Sequence, residues 1–435
     1  MFEINKKQLV FIVSTMLLLL SFATTAICQP LSPASQLIEN PIKIEGQWRV
    51  MQGDNPDFKK TDYDDGAWQT LEVPSNVQET FPNSGGFIWY RKWVYISQDK
   101  PLYTMGIRLG KIATTDQAFV NGHMIGSSGQ ADSNSLDNKK IRVYQIPNGF
   151  LNFGEYNLIT IRVGQVYNDT SGIYSEEVSI GDYSTLVNQL IQTEAISLVF
   201  IGSLLIVGFM ALLRFIKKPG AKEYLFFAIG IFSLAIYTFY ISQWRYLLGV
   251  ESICDVRLFY AAYFSMVPAF LRFTYEYLED EAGSKVDSIF NYFTQGLILY
   301  GAFLNVLLLI YKDKYFWQYL EKMTNDYISL VAGFIVISYL LYKSATGDKD
   351  NRIITFASAL AFILGILELA AWNLNLSSNM SMWGLILFLL VITMVLANRF
   401  FRLRKEVEQY STGLDNMVHK GTKKIKLLID SHRHL

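Results

Sequence analysis

Seven apolar blocks fill the second half of this chain, at approximately 195–216, 223–243, 254–275, 288–311, 326–343, 353–374 and 381–401. Each is about 18–24 residues long, enough at about 1.5 Å per residue to cross a hydrocarbon core of roughly 30 Å. Lipid offers no partners to backbone N–H and C=O groups, so such segments must be helices. A seven-helix membrane domain over 190–401 is therefore expected. Only 17% of the 435 residues are charged, against about 25% in a soluble domain. That excludes a long disordered chain and argues against a wholly soluble enzyme.

Several function classes fall with the composition. Lys plus Arg equals 38 and Asp plus Glu equals 38, and a chain of zero net charge lacks the basic face that nucleic acid requires. Two cysteines, Cys28 and Cys254, make no disulfide framework. Four histidines, His123, His419, His432 and His434, are too scattered for a catalytic zinc site. No cofactor and no metal are expected.

Residues 1–28 read as a secretory signal: Lys6 and Lys7, an apolar run from Leu9 to Ala26, then the small residues Ala23 and Ala26. The alternative is an uncleaved anchor helix. Lipidation of Cys28 is disfavoured by the bulky Ile27 before it. With either a cleaved signal or an anchor, the domain after residue 28 is exported.

Residues 29–185 are rich in short β-like runs, among them Trp93–Ile96, Thr104–Leu109, Gln117–Val120 and Leu158–Val163. Turn chemistry separates them: Asp65-Gly66, Asn121-Gly122 and Asn148-Gly149. Ile159-Thr160-Ile161-Arg162-Val163 alternates with the period of a half-buried strand. An antiparallel β-sandwich is expected.

The order of motifs in this region carries a resemblance. Gly46-Gln47-Trp48 is followed by Gly53-Asp54-Asn55-Pro56-Asp57-Phe58, Tyr63-Asp64-Asp65-Gly66-Ala67-Trp68 and Val73-Pro74. Then come Gly86-Phe87-Ile88-Trp89-Tyr90-Arg91-Lys92-Trp93, Leu109-Gly110-Lys111-Ile112 and Phe119-Val120-Asn121-Gly122-His123-Met124-Ile125-Gly126. Over roughly 45–165 this resembles the galactose-binding-like jelly-roll module at the front of β-galactosidase-type glycoside hydrolases. Their catalytic barrel and its acids have no counterpart here, and a glycosidase needs two carboxylates flanking the scissile bond. The resemblance therefore implies binding without cleavage, of a carbohydrate-like or other small ligand. Rings stack on sugars, and carboxylates and amides bond to their hydroxyls. Trp68, Trp89 and Tyr90 are the candidate rings, with Asp116 and Asn121 as polar contacts. Three of them have a structural alternative: Trp68 and Trp89 as sandwich core, Asn121-Gly122 as a hairpin turn.

An exported sandwich makes the first block run from outside to inside. Thirteen basic residues then fall on inner segments, including Lys217, Lys218, Arg272, Lys285 and Lys343, against four outside. The exception is the outer loop with Lys312, Lys314 and Lys322. Glu368 sits inside the sixth block, a costly place for a carboxylate; it is either a functional group of the bundle or an acid near the interface. Pro268 is expected to kink the third block.

Over 402–435 the chain turns polar, with Leu403, Val407, Tyr410, Leu414, Met417, Gly421 and Leu428 at alternating three- and four-residue steps. This fits a parallel, dimeric coiled coil, or else a monomeric juxtamembrane helix. The whole plan resembles the bacterial seven-transmembrane receptors with diverse intracellular signalling modules: signal peptide, exported sandwich, seven helices, signalling coil, output domain. The string Glu408-Gln409-Tyr410-Ser411…Leu414…Met417-Val418…Thr422 is similar to their coil, with Lys420-Gly421-Thr422 departing from its usual ending. The 37 residues from Arg399 to Leu435 are too few for a kinase, cyclase or phosphatase, which takes on the order of 100; either the chain is a truncated product or it signals through a separate partner.

The resemblance implies a dimeric receptor of the bacterial inner membrane, its sandwich outside and its carboxyl terminus in the cytoplasm. It would sense a small extracytoplasmic ligand and act on a separate cytoplasmic output protein, with no catalysis of its own. A transporter or an envelope scaffold with a carbohydrate-binding front is the alternative.

Overall fold

The computed structural model describes residues 41–81, 86–99, 101–112, 115–129, 140–165, 171–249, 253–278, 284–311, 314–323 and 330–346, with isolated positions beyond. Residues 1–28, Glu368, the seventh apolar block and the expected coil over 402–435 lie essentially outside the described residues, as does most of the sixth block.

Eleven strands can be traced through the sandwich. One sheet has the order β3 (Gln69–Val73), β2 (Gly46–Gln52), β4 (Gly86–Tyr95), β9 (Tyr156–Gln165), β6 (Asp116–Val120), β7 (His123–Ser128). The other runs β1 (Ile42–Lys43), β11 (Ser179–Asp182), β5 (Met105–Ile112), β10 (Ile173–Ser175), with β8 (Ile141–Gln145) also on β5. Every pairing is antiparallel. The inner faces enclose a core that includes Val50, Ile88, Ile107, Leu109, Val120 and Ile161. The four strand runs read from the sequence each fall on a strand, two of them overrunning it by one residue, at Ile96 and Thr104. Asn121-Gly122 is the β6–β7 hairpin, with φ of 47° and 80°. Asn148-Gly149 instead opens a 3-10 turn at 148–150.

A second apolar cluster lies on the outer face of the six-stranded sheet. Strand periodicity puts Trp89 and Arg91 on the face opposite Ile88 and Tyr90. Trp89 and Phe119 are covered there by Phe58 and Trp68, from the segment between β2 and β3. Arg91 pins that segment: Nε donates to Asp65 Oδ2 at 2.8 Å, Nη1 to the carbonyls of Phe58 (2.5 Å) and Lys60 (2.9 Å), and Nη2 to that of Tyr63 (3.2 Å). A buried guanidinium survives where its donors are met, as here.

Burial raises three sandwich tyrosines. Tyr90 and Tyr144 lie well above the usual phenol range, the second also because the Asp116 carboxylate faces it, and Tyr174 is pushed up to about 12. Above about pH 10 the unfolded phenols ionise while the folded ones stay protonated, so rising pH favours the unfolded state. The sandwich should lose stability progressively above about pH 10. Tyrosinate absorbance for these three should appear together with loss of fold; free titration near the ordinary phenol value in the folded protein would contradict their burial.

Seven helices come next in the described residues: α1 (Tyr183–Lys217), α2 (Lys222–Ile241), α3 (Trp244–Leu247), α4 (Ile253–Leu278), α5 (Lys285–Ile310), α6 (Lys314–Met323) and α7 (Leu330–Thr346). Among the described residues α1, α2 and α5 are long and apolar enough to cross a membrane. Ile206, Phe209, Leu213 and Ile216 of α1 are exposed, as lipid-facing side chains are. α4 corresponds to the third block but carries Arg257, Arg272 and Glu276. α6 forms where the sequence reading had a loop with Lys314 and Lys322.

The chain forms two compact units. The first joins the sandwich, α1 through residue 206, and residues 231–263; the second joins 207–230 to the described residues from 264 onward. In the second unit, Asp287 accepts from Lys343 Nζ at 2.9 Å and from the Tyr339 hydroxyl at 2.8 Å, and Tyr339 stacks on Phe290 at 3.8 Å. Arg272 donates to Glu276 at 2.6 Å and to Asn291 at 2.5 Å. Arg272 and Lys343, counted from the sequence among inner basic residues, thus have acidic partners.

Pro268 lies inside α4. It has no N–H for the carbonyl of Phe264, four residues back, and α5 approaches that carbonyl closely: a Cβ on Gly301 would stand 2.7 Å from Phe264 O. Gly301→Ala must push the helices apart. Overpacking costs about 1–3 kcal/mol, so the variant should melt several degrees lower in detergent.

Candidate functional site: a polar seam from sandwich to helices

One ion pair of the sandwich is buried on both its sides. Asp116 opens β6 and Arg142 lies on β8, in the opposite sheet. Arg142 Nε donates to Asp116 Oδ1 at 2.8 Å, and both side chains are fully buried. The Tyr144 hydroxyl donates to Asp116 Oδ2 at 2.7 Å. Arg142 also donates to the carbonyl of Lys140 at 2.5 Å, which fixes the entry of β8.

Next to Arg142 on that strand, the seam leaves the sandwich. The Ile141 N–H donates to Gln243 Oε1 at 2.9 Å, a bond between residues 102 apart in sequence. Gln243 lies between the end of α2 and the start of α3, and its own N–H donates to Glu194 Oε2 of α1 at 3.1 Å. Trp244 Nε1 donates to the Glu194 carbonyl at 2.8 Å. Ser197 reaches the same carboxylate at 3.0 Å. Beside them Arg245 lies under the rings of Tyr240 and Tyr246, at 3.9 and 4.3 Å, and Lys140 stands 5.7 Å from the Tyr246 ring.

A second tie joins the sandwich to α1 through the backbone. β11 ends at Asp182 and α1 begins at Tyr183 with no linker. Asp182 Oδ2 accepts from the Thr185 N–H (2.8 Å) and hydroxyl (2.7 Å), an acidic cap on the helix start. The Tyr183 N–H donates to Thr104 O at 2.9 Å. Leu186 and Leu190, four apart, are buried. A Cβ on Gly106 of β5 would lie 2.9–3.0 Å from Tyr183, so only glycine lets α1 sit there. Gly106→Val should loosen α1 from the sheet, seen as faster hydrogen exchange over 183–190.

The residues named from the sequence do not gather into one site. Trp68 and Trp89 are 4% and 2% exposed and share the outer cluster with Phe58 and Phe119. Tyr90 is in the core on the other face of β4, where its oxygen accepts from the Ile173 N–H at 3.4 Å. A ring packed on both faces has none left for a sugar. Asn121 donates to Phe150 O and Asn157 Oδ1 and accepts from the Leu158 N–H, so its side chain holds the hairpin. Asp116 is the one candidate that belongs to the seam. Arg142, Tyr144, Glu194 and Gln243 escaped the sequence reading; the arginine within the short β-like run 141–145 is the one signal that could have found any of them. Among the described residues no three His, Cys, Asp or Glu side chains gather as a metal site.

Taken together these features define a class: a multi-helix membrane protein whose β-sandwich runs into its first helix without a linker. Residues 193–399 match the family described as 7TM diverse intracellular signalling. This is the family that the sequence resemblance named for the helical part of the chain.

Three solved structures similar to the chain are a glycosyl hydrolase family 2 member from Bacteroides cellulosilyticus (21% identity, 33% of this chain and 20% of that one, TM-score 0.29), a Bacteroides uniformis β-glucuronidase (18%, 32% and 17%, TM-score 0.28) and a Faecalibacterium prausnitzii β-glucuronidase (18%, 32% and 24%, TM-score 0.26). The chain spans about a fifth of the length of these proteins. Comparison with curated proteins gives no match.

Proposed function

We propose that the protein is a transmembrane receptor of the bacterial inner membrane, whose extracytoplasmic sandwich senses a carbohydrate-like or other small ligand. One observation carries this reading: a sandwich fixed to α1 without a linker and hydrogen-bonded through Gln243 and Glu194 to two helix ends, in a chain whose helical part is of a signalling-receptor family. A domain tethered so stiffly cannot shift without moving the helices. Ligand must bind two arrangements of the sandwich with different affinity, and that difference is the energy available to the helices. The seven apolar segments carry the change to the 402–435 coil, which acts as a homodimer on a separate cytoplasmic output protein. The chain itself performs no catalysis.

Cysteines placed at Leu414 and Met417 in cells test this. A crosslinked dimer whose yield changes with added ligand supports the relay. A yield that never changes, or fusions placing Asn121 and Met417 in one compartment, overturns it. A transporter would instead accumulate substrate in vesicles and lose that activity on Glu368→Gln.

A further inference from the structure

The helices take one sheet of the sandwich. Tyr183 packs at Gly106 of β5, and Gln243 bonds to Ile141 of β8, in the five-stranded sheet. The six-stranded sheet turns its outer face the other way, and among the described residues only half of that face is covered. The segment after β2 closes over Trp89 and Arg91. Two and four residues further along the same face of β4 stand Trp93, 42% exposed, and Tyr95, 52% exposed. Tyr156 of β9, 64% exposed, pairs with Tyr95 across the ladder, ring centroids 5.5 Å apart. Among the described residues of the sandwich, these are the Phe, Tyr and Trp rings left exposed, and all three share this one strip.

The border of the strip is polar. The β2–β4 ladder ends at the Arg49–Arg91 pair. Gln47 and Glu72 are cross-strand partners and both exposed. By register they lie on the same face as Arg49 and Trp93. A pyranose has the matching form: a face of C–H bonds that stacks on an aromatic ring, and hydroxyls at its edge that bond to amides and carboxylates. A bilayer surface would call for free basic residues beside the rings and for the helices to leave from this side. Here the border groups include an exposed acid, Glu72, and the helices leave from the other sheet.

We propose that Trp93, Tyr95 and Tyr156, bordered by Gln47 and Glu72, form a saccharide platform that takes the pyranose rings of a neutral glycan. Glu72 disfavours acidic sugars by like charge, and the cation on this face, Arg49, is already engaged by Trp68 O and Thr70 Oγ1. The platform rests on the reading of the sandwich as the sensing domain, and it moves the ligand away from the buried rings of Trp68, Trp89 and Tyr90.

The test uses the full chain, fluorescently labelled in detergent micelles, on an array of neutral and acidic oligosaccharides. The wild type should retain neutral pyranose chains. W93A and Y156A should bind them at least tenfold more weakly, and W93F should keep part of the affinity. Because these rings are exposed, each variant should melt within about two degrees of the wild type, which separates lost contact from lost fold. Equal binding by wild type and W93A overturns the platform and leaves glycan sensing standing. A wild type that holds no glycan overturns both, and one that prefers acidic glycans overturns the neutral class. Self-association abolished by W93A, without glycan binding, would make a second copy the occupant and overturn the proposal.

Discussion

Asp116→Ala lowers the stability of the sandwich by about 3–5 kcal/mol, the cost of leaving a buried charge without its partner. Arg142 has no exposed side-chain area, so its guanidinium cannot recover water when the carboxylate goes. Tyr144 loses its acceptor in the same step. The change should appear as a melting transition about 10 °C lower, monitored by tryptophan fluorescence of the full chain in detergent. The double variant Asp116→Leu with Arg142→Met should recover most of the loss, because replacing a buried pair by apolar groups of similar volume is often neutral. Tyr144→Phe should cost only about 1–3 kcal/mol, leaving one acceptor position on an ion that keeps its counter-charge. If Asp116→Ala melts within about two degrees of the wild type, the pair does not hold the sheets together.

How much of this was legible in the sequence depends on the range of the interaction. The β6–β7 hairpin was, because Asn121 and Gly122 carry their conformational preference within two residues. The helices α1, α2 and α5 were, because lipid-length apolarity is a local property. The start of α1 was not. Its first three turns, from Tyr183 to Glu194, are mostly polar, with Leu186 and Leu190 as the buried pair. They belong to the sandwich side of the chain, and an apolar count begins only after them. β4 misled for a different reason. Ile88, Tyr90 and Val94 face one way and Trp89, Trp93 and Tyr95 the other, so large apolar residues occupy both faces and a period of two cannot tell inside from outside. The segment carrying Phe58 and Trp68 decides it, burying Trp89 and leaving Trp93 open. Asp116 looked like a ligand contact because its partner lies 26 residues away on the opposite sheet.

The Gln243→Ala variant is expected to leave the sandwich folded and free its connection to the helices. The Ile141 N–H then has no acceptor from Gln243, and a buried donor left unmet costs about 1–3 kcal/mol. Local opening becomes easier by that amount, so hydrogen exchange at Ile141 should accelerate by roughly 10- to 100-fold. Exchange at Ile159 and Ile161, deep in the other sheet, should not change. Glu194→Ala acts one step further away. It removes the carboxylate that receives the Gln243 N–H, while the Glu194 backbone carbonyl still accepts from Trp244, so the acceleration at Ile141 should be smaller. The order Gln243→Ala above Glu194→Ala above wild type is the signature of a chain of hydrogen bonds read from the helix ends into the sheet. In a receptor built this way, both variants should also blunt the ligand-dependent change in crosslinking at Met417, although neither touches the saccharide platform. Full ligand response in Gln243→Ala would mean that the direct run from Asp182 into α1 carries the signal without help from the seam.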